Sequence, residues 1–384
     1  MKILLVSNNT FSVFGGYEKV IYNVLKNLVE GKNYEFSILS VPHYMSLIES
    51  EILEEFKSFK IYRGSDYRNK FHYISTILIK KLLNRRLFIN YKTINHYFSI
   101  VNFDFDIVLI TDPLLITSVR KVLEEHNLRN KKIVYWDHGS LMGYLRLRTR
   151  RAMYEKEIIS SIREADAFLA ISSEIAEEIR RYKENAVIYL VYNPCKRYEG
   201  PLINRPAKPV FIYVGRLDDK QKNISFMLKG FSMLRDREWE LKIIGSGPDE
   251  KKFKDLAKKL KISDKVSFEG FKKEPFKEVK EVTALILTSR WEGFGLVLVE
   301  AIQRGIPVIS SDCKSGPKDI VINGKNGYLY KEGNLEEFVS IVESVIEGRL
   351  VFDSPENIAK TASKFSEEVV LENIDKALKE VLEK

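Results

Sequence analysis

Short apolar, β-branched runs alternate with helical stretches along this chain, and the alternation starts twice. In the first half "KILLVSN" leads through Gly15 and Gly16 into "YEKVIYNVLKNLVE", and "FDIVLIT", "KKIVYWD", "AFLAIS" and "VIYLVYN" follow, each near a helical stretch such as "SEIAEEIRRY". That is the pattern of a doubly wound α/β layer. Residues 195–209 then carry Pro201, Pro206 and Pro209 with little periodicity and read as a linker. Beyond them the alternation restarts with "PVFIYVGRL", "WELKIIGSG", "KVSFEG", "ALILTS" and "PVISSD". Two Rossmann-like domains in tandem are expected, residues 1–200 and 201–384, with a cleft between them. A length of 384 residues, beyond the usual size of one hydrophobic core, agrees. The tail from about Pro355 is helical, charged and free of strand signals, long enough to pack back across the domain junction.

The sequence excludes several classes of protein. No apolar run reaches the roughly 18 residues that span a bilayer, and "MKILLVSNN" turns polar too soon for a secretory signal. A cytoplasmic protein is expected. Cys195 and Cys313 are the only cysteines, too few and too isolated for a disulfide framework or a zinc site, and free thiols are expected. The formal net charge of +9 is unevenly placed: residues 1–200 hold 30 Lys/Arg against 23 Asp/Glu, and residues 201–384 hold 32 against 30. From Tyr67 to Phe103 there is no acid, while Arg68, Lys70, Lys80, Lys81, Arg85, Arg86 and Lys92 alternate with aromatic and aliphatic residues, and Arg146, Arg148, Arg150 and Arg151 follow. Such patterning suits an anionic membrane surface or a phosphate-bearing partner; a solvated face reads equally well. No recognition-helix, RNP or zinc-finger signature accompanies the charge, so a nucleic-acid partner is not expected.

The second half concentrates the chemistry. In "LILTSRWEGFGLVLVEAIQRGIPVI", residues 285–309, Glu292 and Glu300 stand eight positions apart. On one helix they would point roughly 80° apart, so Gly293, Phe294 and Gly295 are read as a turn. Glu292 then leaves the strand in a loop, and Glu300 occupies the second turn of the helix. Both can face the C-terminal end of the sheet, where open α/β sheets bind ligands. A solvated loop carboxylate and an exposed helical one would satisfy the same pattern. In "YVGRLDDKQKNISFMLKGF" a strand ends at Gly215, and Arg216 and Lys222 flank a loop entering a helix at about Asn223. Strand end, glycine and helix start make an anion site, where two cations could neutralise a diphosphate without a metal. Gly245 and Gly247 in "IIGSGPDE", with Pro248 at the first helical turn, allow close approach to the backbone; Gly316 and Pro317 in "DCKSGPKDI" repeat the arrangement. In the first half, Gly15 and Gly16 precede a helix start and could admit the same diphosphate, and His138, at a strand's end, is placed to meet the reacting carbon as a catalytic residue, although a lone histidine is more often structural. "DFD" at Asp104 to Asp106 resembles a metal-binding pair but precedes a buried strand, where two acids more often mark the solvent end. The P-loop, serine-hydrolase, zincin and dinucleotide fingerprints are absent.

Arg216 with Lys222, the "GSGP" turn and the Glu292 to Glu300 spacing resemble the retaining sugar-nucleotide glycosyltransferases of family four, which have the GT-B fold. The likeness runs from Gly15 and Gly16 to about Tyr330 and is most specific over 211–330. Within the family, "SDCKSGPKDI", "YVGR" and "LAISSEI" look nearest to lipopolysaccharide and capsule galactosyltransferases using UDP-galactose. The resemblance implies that Arg216 and Lys222 bind the donor diphosphate, that Glu300 binds the ribose hydroxyls and that Glu292 contacts the transferred sugar, with the donor-binding turn Gly293, Phe294 and Gly295 fitting between the two. It implies that His138 and Gly16 line the cleft from the acceptor domain, and that no metal or cofactor is required. The acceptor would be a sugar, lipid-linked in surface-polysaccharide synthesis, met at the inner face of the membrane. A UDP-sugar 2-epimerase on the same fold, releasing a changed sugar without any acceptor, and a non-catalytic binding paralogue are the alternatives.

Overall fold

The computed structural model describes residues 1–7, 16–32, 34–40, 60–63, 94–96, 98–99, 103–138 and 155–384. They form two compact units. One comprises Met1–Ile171, Ile175–Tyr192 and Leu371–Lys384; the other comprises Ser172–Glu174 and Asn193–Val370. The helical tail is thus shared, belonging to the second unit through Val370 and to the first from Leu371.

The first unit holds β1 (Lys2–Ser7), β2 (Glu35–Ser40), β3 (Lys60–Arg63), β4 (Ile107–Ile110), β5 (Lys132–Asp137), β6 (Ala167–Ala170) and β7 (Val187–Leu190). They form one parallel sheet in the order β3-β2-β1-β4-β5-β6-β7. Every residue of β4 and β6 is buried, as continuous apolar runs must be when helices cover both faces of a sheet. The helix Ile116–Glu125 shows the matching periodicity, burying Ile116, Val119, Val122 and Leu123 along one stripe. Asp104 and Asp106 stand at the start of β4, the end read from sequence as the solvent end, and both engage Lys2. Asp106 accepts the Lys2 amide at 2.8 Å and Asp104 the Lys2 ammonium at 2.6 Å, tying the starts of β1 and β4 together.

The second unit holds β8 (Val210–Val214), β9 (Glu240–Ile244), β10 (Val266–Gly270), β11 (Ala284–Leu287), β12 (Val308–Ser311) and β13 (Gly327–Tyr330). These too are parallel, in the order β10-β9-β8-β11-β12-β13. In each sheet the strand order reverses direction once, between β1 and β4 and between β8 and β11. Such a switch point opens a crevice at the strands' carboxyl ends. Three strands, β2, β3 and β13, add to those legible as apolar runs.

The proline-bearing segment 195–209 has little regular structure, yet it is packed down. The Cys195 amide donates to Phe365 O at 2.8 Å and the Ile203 amide to Arg304 O at 2.8 Å. The Arg304 guanidinium lies 4.1 Å from the Tyr198 ring centroid and 4.8 Å from that of Phe276. Cys195 and Cys313 are both free and buried. Burial pushes the Cys195 thiol up to about 12, leaving it protonated and unreactive at neutral pH.

Candidate functional site

The carboxyl end of β8 runs into Gly215, and the next residues are fixed by backbone contacts with the turn after β9. The Gly215 amide donates to Ile244 O at 3.0 Å, Leu217 N to Ser246 O at 2.9 Å and Asp249 N to Leu217 O at 3.1 Å. A Cβ on Gly245 would stand 1.9 Å from Gly215 O, and one on Gly247 would stand 2.4 Å from Leu217 O. The two glycines are therefore required by the chain's own backbone. The helix after this turn begins at Glu250, two residues beyond Pro248.

Between β8 and its long helix the chain inserts a one-turn helix, Asp219–Lys222, capped by the Asp218 carboxylate on Lys220 N. Asn223 then takes a left-handed conformation, φ 53°, and the helix Ile224–Met233 follows. The reversal turns Lys222 toward the loop after β11, and Thr288 Oγ1 donates to Lys222 O at 2.9 Å. There Lys222 Nζ meets both oxygens of Glu292, at 2.7 and 3.0 Å. The side chains are only 15% and 8% exposed, so this pair is far less screened than a surface bridge. Ser289, fully buried, donates its hydroxyl to Glu292 Oε1, and Ser311 Oγ donates to Ser289 O at 2.7 Å. Two residues singled out in separate motifs thus form one buried ion pair across the switch point of the second sheet.

Arg216 stands differently. Its guanidinium is 61% exposed, 3.0 Å from Asp218 Oδ2 and 3.2 Å from Gln221 Oε1. Gln221 Nε2 reaches Trp291 O at 3.2 Å, so the loop carrying Glu292 and the arginine share a bridging amide. Gly295, φ 93°, starts the helix Leu296–Ile302, placing Glu300 in its second turn as expected; Arg304 donates to Glu300 O at 2.7 Å. Phe294 is buried at 2% exposure, edge-on to Phe365 with ring centroids 5.6 Å apart. It is a core side chain whose carbonyl faces Gly316. Gly316 precedes the short helix Pro317–Ile320.

Ser289, Gln221 and Asp218 were not among the residues expected from the sequence. Ser289 had a signal, since a hydroxyl three residues before a carboxylate on a strand exit can reach it. Gln221 and Asp218 had none, because only the one-turn helix brings them to their partners.

In the first unit, helix Gly16–Lys32 begins at Gly16, while Gly15 lies outside the described residues. His138 follows β5 with both ring nitrogens buried and its ring 4.4 Å from that of Trp136. Burial pushes its imidazole down to about 3, so the ring is neutral at neutral pH. The unfolded chain takes up this proton near pH 6.5, the folded one only near 3. His138's own contribution to stability is therefore complete above pH 6.5 and falls by about 1.4 kcal/mol per pH unit below it. Urea unfolding at pH 7 and pH 5 should show a larger loss in the wild type than in His138→Gln, the difference being the His138 contribution. Equal pH dependence in the two would refute the assignment.

Among the described residues no group of three His, Cys, Asp or Glu side chains could hold a metal ion. No described helix is long and apolar enough to cross a membrane. The seven cations between Arg68 and Lys92, and the arginines at 146, 148, 150 and 151, lie outside the described residues.

Two parallel Rossmann-like sheets, the second with a charged constellation at its switch point, define the GT-B class of fold. Residues 199–365 match the family Glycosyl transferases group 1, and residues 14–196 match Glycosyltransferase Family 4. The lipopolysaccharide 1,6-galactosyltransferase of Salmonella typhimurium strain LT2 is 34% identical over 287 residues, 73% of this chain and 76% of that protein. The Escherichia coli K12 protein of the same name is 33% identical over 222 residues, 56% of this chain and 61% of that one. Among solved structures, the apo form of the lipopolysaccharide outer core galactosyltransferase WaaB superposes with a TM-score of 0.81 at 28% identity, covering 99% of each chain. This chain belongs to the group 1, family 4 glycosyltransferases.

Proposed function

We propose that the enzyme transfers a hexose, galactose by preference, from a UDP-sugar to a lipid-linked saccharide acceptor in lipopolysaccharide or related surface-polysaccharide synthesis. The observation that carries this reading is the Lys222–Glu292 pair at the switch point of the second sheet, with Glu300 on the helix that follows. The names of the two galactosyltransferase relatives support the sugar and the acceptor class. In this reading Arg216 and Lys222 take the donor diphosphate, Glu300 the ribose hydroxyls and Glu292 the transferred sugar. Gly245, Gly247 and the turns at Gly293, Gly295 and Gly316 shape the donor's bed. His138 and Gly16 keep the acceptor-side roles that the resemblance implies.

The chemistry follows from charge. Breaking the bond from the anomeric carbon to the diphosphate leaves an oxocarbenium-like centre and a departing anion, so fixed cations at the leaving group lower the barrier. The acceptor oxygen bonds to the anomeric carbon on the face that the diphosphate leaves, and its proton passes to the leaving phosphate. Configuration is retained without a protein nucleophile. Glu292 is the one carboxylate assigned to the sugar, fewer than a glycosidase-type double displacement needs. Cations do the work of a metal here, so metal-independent turnover is part of the proposal. Attachment to the inner face of the membrane rests on the basic stretch of residues 67–103.

The test is transfer from UDP-galactose, UDP-glucose and UDP-N-acetylglucosamine to truncated lipopolysaccharide, with and without EDTA. Galactose should be transferred fastest, its anomeric configuration kept, at a rate that EDTA leaves unchanged. Release of an altered sugar without acceptor would replace transfer by epimerisation. Loss of activity in EDTA, restored by Mg²⁺ or Mn²⁺, would remove the metal-independent step.

A further inference from the structure

Both cations assigned to the diphosphate already have carboxylate partners, and the two partnerships differ in kind. Arg216 and Asp218 meet at 3.0 Å with the arginine side chain 61% exposed. Water screens such a pair, and a ligand can detach it at little cost. Lys222 and Glu292 are almost wholly withdrawn from solvent, the ammonium reaching both carboxylate oxygens at 2.7 and 3.0 Å. An ammonium has three N–H donors, and Glu292 engages this one through both of its oxygens.

We infer that Glu292 is an internal counter-ion of Lys222, with which the diphosphate of a nucleotide must compete. The inference rests on the donor-site reading above. With the site empty, the carboxylate neutralises the lysine, which would otherwise be an uncompensated buried charge. When a diphosphate arrives, Lys222 turns part of its donor capacity to phosphate. Glu292 is then not stranded, because the Lys222 ammonium stays beside it and the Ser289 hydroxyl stays on Oε1, itself held through the Ser311 contact to the Ser289 carbonyl. The remaining acceptor capacity of the carboxylate becomes available to a sugar hydroxyl. Competition of this kind weakens the hold on the nucleotide diphosphate alone, which is the product, and couples occupation of the phosphate position to release of the sugar-binding carboxylate.

Calorimetric titration of UDP into the wild type, Glu292→Gln, Asp218→Asn, Lys222→Ala and the Lys222→Ala/Glu292→Gln double variant decides the matter. Glutamine keeps the shape and the Ser289 contact while removing the charge. Glu292→Gln should bind UDP at least threefold more tightly than the wild type, and the gain should vanish in the double variant. Asp218→Asn should change affinity less than twofold, because its arginine partner is exposed. Unchanged or weaker UDP binding by Glu292→Gln, with Lys222→Ala still impaired, overturns the counter-ion role and leaves the donor site standing. A wild type that does not bind UDP, or a Lys222→Ala variant that binds it equally well, overturns the donor-site reading itself. If Glu292→Gln does not fold, Glu292→Asp serves in its place. Its retracted carboxylate should also give tighter UDP binding than the wild type, and no gain there counts against the inference.

Discussion

Lys222→Ala should lower kcat/KM for glycosyl transfer by about 10²–10³-fold, roughly 2–4 kcal/mol of transition-state stabilisation. Charge builds on the departing diphosphate as the glycosidic bond breaks, and a cation held 15% exposed acts there without the screening that weakens a surface charge. Removing it also strands the Glu292 carboxylate, a loss on the order of 3–5 kcal/mol of folding stability for a broken buried pair. The measurement therefore pairs steady-state kinetics with a thermal melt, and compares temperatures at which the variant is folded. Less than tenfold loss in folded protein would take the diphosphate away from Lys222. Arg216, exposed and held by Asp218 and Gln221, should lose activity on substitution by Ala with little change in melting temperature.

Gly316→Ala should destabilise the second unit by at least about 3 kcal/mol, the range of overpacking combined with backbone strain. Its φ of +110° disfavours any side chain, and an added Cβ would stand 1.8 Å from Phe294 O. That carbonyl cannot step aside cheaply. Phe294 is buried against Phe365 and lies between Glu292 and the left-handed Gly295 that starts the Glu300 helix. Gly333→Ala is the control, since Gly333 has φ +80° but, beyond its own chain neighbours, no atom within 4 Å of an added Cβ. Strain alone should cost it about 1–2 kcal/mol. Urea unfolding of both variants separates the two terms, and equal losses would mean the Phe294 contact carries no weight.

Much of this was open to reading from the string. Parallel strands buried on both faces must be continuously apolar, so "IVLI", "AFLA" and "ALIL" announced themselves, and the loops that follow them could be searched for charge. The short outer strands were harder. β3 is four residues long and β13 is "GYLY", with little in either to separate it from a turn. At the site, residue types and motif positions were legible because strand ends and glycines mark where ligands approach. Pairing was not. Lys222 and Glu292 are seventy residues apart, and their meeting depends on a one-turn helix and a left-handed asparagine, neither of which leaves a periodic trace. The Gly245 and Gly247 turn was legible as close backbone approach, but what the structure places against the two Cβ positions is the neighbouring loop.

That last contact bears on anyone who would retool donor preference by exchanging loops. The segments after β8 and β9 press carbonyl against glycine at Gly215 with Gly245 and at Leu217 with Gly247, so their shapes are mutually fitted. A graft of the 215–222 segment from a relative must carry the 245–249 segment with it. Transplanted alone, it would arrive without the surface that moulds it.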